Sequence, residues 1–193
     1  MSFPYISTAE LQKKLSDPYT TIIDIRPVEA YNGWKVNNEA RGGHISGARS
    51  LPLKWINYID WIEIVRSKGI LPDQSLIIYG YGSKEMEKVA DRFSRSGYDH
   101  VKVYNQFQDE WCVDDSLPMD HLQRYKHLVS PEWLKTLLHR GSPPEFDGKD
   151  FVLCHGHYRN RGAYEEAIFP GQWRWIPTPW SHRRPGTVAA LKK

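Results

Sequence analysis

The sequence predicts an α/β protein: a parallel sheet covered by helices on both faces, followed by a partial second copy of the same arrangement. Three observations carry that prediction. Short, mostly apolar β-branched runs alternate with amphipathic helical stretches, the order that gives parallel strands joined by crossover helices. Each run is bounded by Gly, Pro or Asp, so it is a strand length and not a helix length. From residue 128 the opening order of capped helix, turn and buried strand begins again, which marks an internal repeat.

The first element opens with Ser7-Thr8-Ala9-Glu10, a capping box in which the Ser7 hydroxyl serves the Glu10 amide and Glu10 reaches back. Leu11 and Leu15 follow at helical spacing, so a helix is expected over 8–16, ended by Asp17-Pro18. Residues 20–26 (TTIIDIR) read as a buried strand. Residues 32–47, rich in Gly and Asn and without a period, read as a long loop. Between 53 and 65 the residues Trp55, Tyr58, Ile59, Ile62 and Val65 share one helical face, with Asn57, Asp60 and Glu63 on the other. That polar face is acidic rather than basic, so a helix against the core is expected rather than one lying on a membrane surface.

Residues 75–79 (SLIIY) form a second strand, which runs into Gly80-Tyr81-Gly82-Ser83 and a helix over 83–96. Met86, Val89, Ala90 and Phe93 face inward, and Gly97 closes the helix. Residues 100–104 (HVKVY) form a third strand. The polar run after Leu117-Pro118 reads as a linker. Then Ser130-Pro131-Glu132 starts a second capped helix, with Trp133, Leu134, Leu137 and Leu138 on its apolar face, and 150–155 (DFVLCH) reads as a strand. The expected domains are therefore 1–120, a linker at 121–129, and an incomplete second module at 130–193.

Composition narrows the function classes. Eight tryptophans and eleven tyrosines exclude a disordered chain, which could not bury them. The net charge of +3 is spread among mixed charges, without the basic, aromatic-interleaved stripe of a nucleic-acid binder. No stretch approaches the roughly 20 apolar residues that span a bilayer, and the N-terminus lacks a signal-peptide core. Two cysteines, Cys112 and Cys154, are too few for a disulfide framework, so a reducing cytoplasm is the expected compartment.

Asp24-Ile25-Arg26, then Glu29 and Tyr31, then Gly43-His44-Ile45-Ser46-Gly47-Ala48 resemble the paired signatures of the rhodanese (thiosulfate sulfurtransferase) family. The second family motif carries proline where Ser46 stands. The resemblance runs over about 120 residues, through the loop at Gly80 to Phe107, Trp111 and Leu117-Pro118. Beyond it, residues 128–134 (LVSPEWL) are similar to the start of another copy. Tyr164-Glu165-Glu166 with Pro170-Gly171 lines up on the family's Tyr-x-x-Gly-His-Ile-Pro-Gly-Ala stretch, although Ala167, Ile168 and Gln172 depart from it. This implies a rhodanese of tandem type, with Asp24, Arg26, Gly43, His44 and Gly47 in structural roles.

The resemblance also implies a reaction. A thiolate placed directly after the central strand takes a sulfane sulfur, holds it as a persulfide and passes it to a thiophile. The inward-facing amides of a helix N-terminus lower the thiol pKa and cradle the anion. Here Gly80 stands at the cysteine position, so the first module is expected to be non-catalytic. The loop Gly80-Tyr81-Gly82-Ser83-Lys84 keeps the glycines of a cradle and one positive charge, and Ser83 is expected to cap the helix.

Two other readings stay open. In one, an inactive rhodanese binds a small sulfur-containing anion, or a protein partner, through that loop. In the other, Cys154 is the nucleophile of an active sulfurtransferase, because it ends a strand and has Arg159 five residues on. Cys154, His155 and His157 also cluster, but a closed zinc site draws four ligands from two stretches and no second cluster is present in the sequence. No metal and no cofactor are expected. A phosphatase of the related dual-specificity kind would also need a cysteine after the central strand, and Gly80 removes it.

Overall fold

The computed structural model describes residues 3–156 and 173–175. It separates into two compact units, Met1–His139 and Arg140–Lys193.

The first unit is built on four parallel strands: β1 (Thr20–Asp24), β3 (Arg49–Ser50), β4 (Ser75–Tyr79) and β5 (Val101–Tyr104), in the order β3-β1-β4-β5. Register is regular, with Ile23 beside Arg49, Asp24 beside Tyr79, and Tyr79 beside Tyr104. Side chains alternate across a strand, so each strand feeds two cores. Ile23, Leu76, Ile78, Val101 and Val103 face one side, packed with Trp61, Val65, Met86, Val89, Ala90 and Phe93. Ile22, Ile77, Tyr79 and Tyr104 face the other, packed with Ile6, Leu11, Phe107 and Trp111. The outer edge of β5 is met by the N-terminal segment, where Tyr5 bridges to Val103.

The helices supply those partners. Helix α1 (Thr8–Lys14) has the expected capping box at Ser7 and Glu10 and ends two residues earlier than expected. Helix α4 (Ser83–Arg95) buries Met86, Val89, Ala90 and Phe93 as its period requires. The expected helix at 53–65 is two pieces: a 3-10 turn (Leu53–Asn57) and α3 (Trp61–Ser67). The buried residues there are Ile56, Trp61 and, as expected, Val65; Ile56 and Trp61 lie roughly 140° apart on a continuous helix and could not share a face. Breaking the chain at Tyr58 lets Trp61 meet Phe93 edge-on at 4.8 Å, and it leaves Ile59 fully exposed rather than inward.

The loop expected at 32–47 is more ordered than its composition suggested. It follows α2 (Val28–Asn32) and carries β2 (His44–Ile45), which pairs antiparallel with β6 (Met119–Asp120). The stretch expected as a linker, 121–129, is anchored within the first unit. The Leu122 amide donates to the Asn32 carbonyl at 2.8 Å, and the Trp34 indole donates to the Leu128 carbonyl at 2.8 Å. Helix α5 (Pro131–Leu138), capped by Ser130 as expected, sits in the same unit, with Trp133 beside Trp34. In the second unit, β7 (Cys154–Gly156) replaces the strand expected at 150–155 and runs parallel to β8 (Trp173–Trp175). No described helix is long and apolar enough to cross a membrane.

Candidate functional site

At the carboxyl end of β1 the family-type residues form a closed network of charges. Asp24 and Arg26 are fully buried. The Arg26 guanidinium donates to Asp24 at 2.6 Å, to Glu39 at 2.5 Å and to the Gly43 carbonyl at 2.6 Å. Tyr79 donates to the same Asp24 oxygen, Oδ2, at 2.6 Å, and Tyr81 donates to Glu39 at 2.7 Å. The guanidinium also lies over the Phe107 ring at 4.1 Å. Burial alone would pull the Arg26 pKa down, but Asp24 and Glu39 hold the cation and leave it raised. Burial and Asp24 push the Tyr79 hydroxyl up, and burial and Glu39 do the same for Tyr81. Both phenols stay protonated donors.

Gly43 closes this network for a steric reason: its φ is +112°, and a Cβ there would approach the Asp120 carbonyl oxygen to 2.4 Å. His44 is buried and stacks on Tyr31, with ring centroids 3.7 Å apart, while its Nδ1 bonds the Tyr31 carbonyl at 2.7 Å. Burial pulls its pKa down, so the ring is neutral, with the Nδ1 proton donated to the Tyr31 carbonyl. The Gly47 amide donates to Asp120 at 3.3 Å. Together these bonds fix the turn leading into β3.

The loop from Gly80 to Lys84 follows β4 directly, at the mouth of a cleft of about 260 Å³ lined by Ile25, Arg26, Pro52, Leu53, Lys54 and Tyr81 among others. This is where open α/β sheets bind ligands. Gly80 is not an empty place awaiting a side chain. A Cβ on it would lie 2.6 Å from Ile25 Cγ1 and 3.1 Å from Ile25 Cδ1, so the side chain that follows β1 fills the space beside it.

Two further features change the loop. A Cβ on Gly82 would fall on the Glu85 carboxylate, so a negative group stands beside the start of α4. The N-cap is Gly82, and no side chain makes a capping bond. Ser83 is instead the first helical residue and exposed, which corrects its expected capping role. Lys84 is exposed.

Sequence reasoning missed Glu39 and Arg41, which sit in the irregular loop. Arg41 donates to the carbonyls of Trp111, Cys112, Asp114 and Leu117, and so satisfies the carbonyls at the end of the Phe107–Trp111 turn. Cys112 is fully buried. Its sulfur accepts the Arg41 amide at 3.2 Å and donates to the Arg41 carbonyl at 3.3 Å, which is a packing role. One signal pointed to Glu39: tyrosines on both sides of Gly80 need acceptors for their hydroxyls once buried. In the second unit, Cys154 pairs in register with Trp173. Arg159, its expected partner, lies outside the described residues, as do His157 and the Tyr164 to Gly171 stretch.

A parallel α/β unit with a strand, tight loop and helix at a cleft, and with a buried Asp-x-Arg pair at the neighbouring strand end, is a rhodanese-type unit. The model of the rhodanese-like domain matches residues 7–114, and the chain belongs to that family. It is 24% identical over 118 residues to the thiosulfate sulfurtransferase YnjE of Escherichia coli (strain K12), a match covering 60% of this chain and 26% of that protein.

Among solved structures it is similar to wild-type EanB, at 42% identity and a TM-score of 0.85, covering 90% of this chain and 40% of that one. A complex of an EanB variant with hercynine, and one with ergothioneine covalently linked with a persulfide cysteine, superpose equally well at a TM-score of 0.85. The chain thus spans about a quarter of YnjE and about two-fifths of EanB.

Proposed function

We propose that residues 7–114 form a non-catalytic rhodanese module of a tandem sulfurtransferase, whose cysteine chemistry belongs to another module of the whole protein. One observation carries the reading. Gly80 occupies the nucleophile position, and Ile25 fills the space a side chain would need. The Glu85 carboxylate beside the same loop disfavours a persulfide or thiosulfate anion there. The module's contribution is a rigid frame, since its charged strand ends are spent on one another in the Asp24-Arg26-Glu39 network.

Several observations support the tandem arrangement. Strand β8 begins two residues after Gly171 and runs parallel to β7, as β3 begins two residues after Gly47 and runs parallel to β1. By that register Cys154 corresponds to Ile23 and opens a strand that continues through Gly156, rather than heading a catalytic loop. The likeness to EanB makes hercynine the acceptor to offer the whole protein, alongside a sulfane-sulfur donor.

The test is thiocyanate formation from thiosulfate and cyanide, with this chain and with Cys154→Ser. No turnover is expected from either. Turnover that disappears in Cys154→Ser would overturn the proposal.

A further inference from the structure

We propose that a depression beside β3, remote in sequence from the Gly80 loop, binds a small tetrahedral oxyanion between Arg49 and Lys68. The depression has a volume of about 470 Å³ and is lined by Tyr31, His44, Arg49, Ser50, Lys68 and Asp120 among others. Arg49 comes from the edge strand and Lys68 from the turn after α3, yet the fold holds them side by side, with the guanidinium donating to the Lys68 carbonyl.

Neither cation has a carboxylate partner among the described residues. Lys68 rests over the Trp55 ring at 5.1 Å instead. Partial burial, and then the Arg49 charge, pull its pKa down. The exposed Arg49 guanidinium and the half-buried Lys68 ammonium are like charges that repel each other, and an anion between them turns that repulsion into two attractions.

The remaining lining groups leave room for that charge. The Asp120 carboxylate accepts the Gly47 amide at 3.3 Å. His44, neutral through burial and committed to the Tyr31 carbonyl by its Nδ1, adds no charge. The Ser50 hydroxyl makes no hydrogen bond among the described residues and is a ready donor. With one carboxylate against two cations, the depression is left one charge positive. A guanidinium fork, a point-charge ammonium and a hydroxyl together match a tetrahedral oxyanion. Sulfate, thiosulfate and phosphate share that chemistry. The inference stands independently of where catalysis occurs.

The test is calorimetric titration of the full chain with sodium sulfate, thiosulfate and phosphate, against sodium chloride at matched ionic strength. Amide NMR shifts locate the site. Saturable one-to-one binding is expected for at least one of the three, with shifts at Ser50 and Lys68. Lys68→Gln and Arg49→Gln should each weaken it about tenfold, the loss of one charge-assisted hydrogen bond. Arg49 also holds the carbonyl after α3, so Lys68→Gln is the deciding variant if Arg49→Gln folds poorly. Lys84→Gln should bind as the wild type does. No saturable binding to any of the three anions would overturn the proposal, as would binding that survives Lys68→Gln but is lost in Lys84→Gln.

Discussion

Placing a side chain at Gly80 tests the steric account of that position. In Gly80→Ala the new methyl would sit 2.6 Å from Ile25 Cγ1 and 3.6 Å from Met86 Cγ. Unstrained carbon atoms stay about 3.5–4.0 Å apart, so Ile25 must withdraw by about 1 Å. Ile25 is only 4% exposed and packed into the core with Ile23, Met86 and Leu51, so that movement overpacks its neighbours. Overpacking costs about 1–3 kcal/mol. Replacing glycine restricts the unfolded chain and returns about 0.4–1 kcal/mol. The net expectation is about 1–2 kcal/mol of destabilisation, read from urea unfolding midpoints at constant slope.

Ile25→Ala alone should cost about 2–5 kcal/mol through the cavity it leaves. The double variant Ile25→Ala/Gly80→Ala should be more stable than the sum of the singles, because each change relieves the other, with a coupling of about 1–3 kcal/mol. Additive energies, or a neutral Gly80→Ala, would refute the steric argument. The chemical counterpart is Gly80→Cys with Ile25→Ala. Mass spectrometry after thiosulfate treatment should show more persulfide on that double variant than on Gly80→Cys alone.

Three further outcomes are expected. Arg26→Leu should destabilise the unit by about 3–5 kcal/mol, because Asp24 and Glu39 are left as buried, uncompensated carboxylates; thermal or urea unfolding measures it. Arg41→Ala should cost about 2–3 kcal/mol, since one guanidinium satisfies four carbonyls, and it should speed hydrogen exchange of amides 111–117. His44 sets a pH dependence. Its folded pKa lies below the unfolded value of about 6.5, so the unfolded chain binds the proton first. Stability is therefore complete above that value and lost as pH falls below it towards the folded pKa. His44→Asn, which keeps a donor for the Tyr31 carbonyl, should flatten the change in unfolding midpoint between pH 7 and pH 5.5.

The sequence alone determined the parallel α/β core and most of its elements. Strand residues such as Ile22, Ile23, Ile77 and Ile78 are apolar without a break because both faces of the sheet are covered, and that pattern is local. The capping box at Ser7, the Ser130 cap, the inward face of α4 and the position of Gly80 are likewise written within a few consecutive residues. What the tertiary structure decided depends on residues far apart in the chain. Ile25 meets Gly80 across 55 positions, Glu39 meets Tyr81 across 42, and Arg41 meets Leu117 across 76. No periodicity reports such pairs, because each partner looks like an ordinary loop or strand residue by itself. The break at Tyr58 and the anchoring of residues 121–129 followed the same rule. Local pattern favoured one continuous helix and a free linker, and packing against Phe93, Asn32 and Trp34 overrode it. The sequence alone put Gly80 directly after the central strand; only the folded chain showed that Ile25 fills the space beside it.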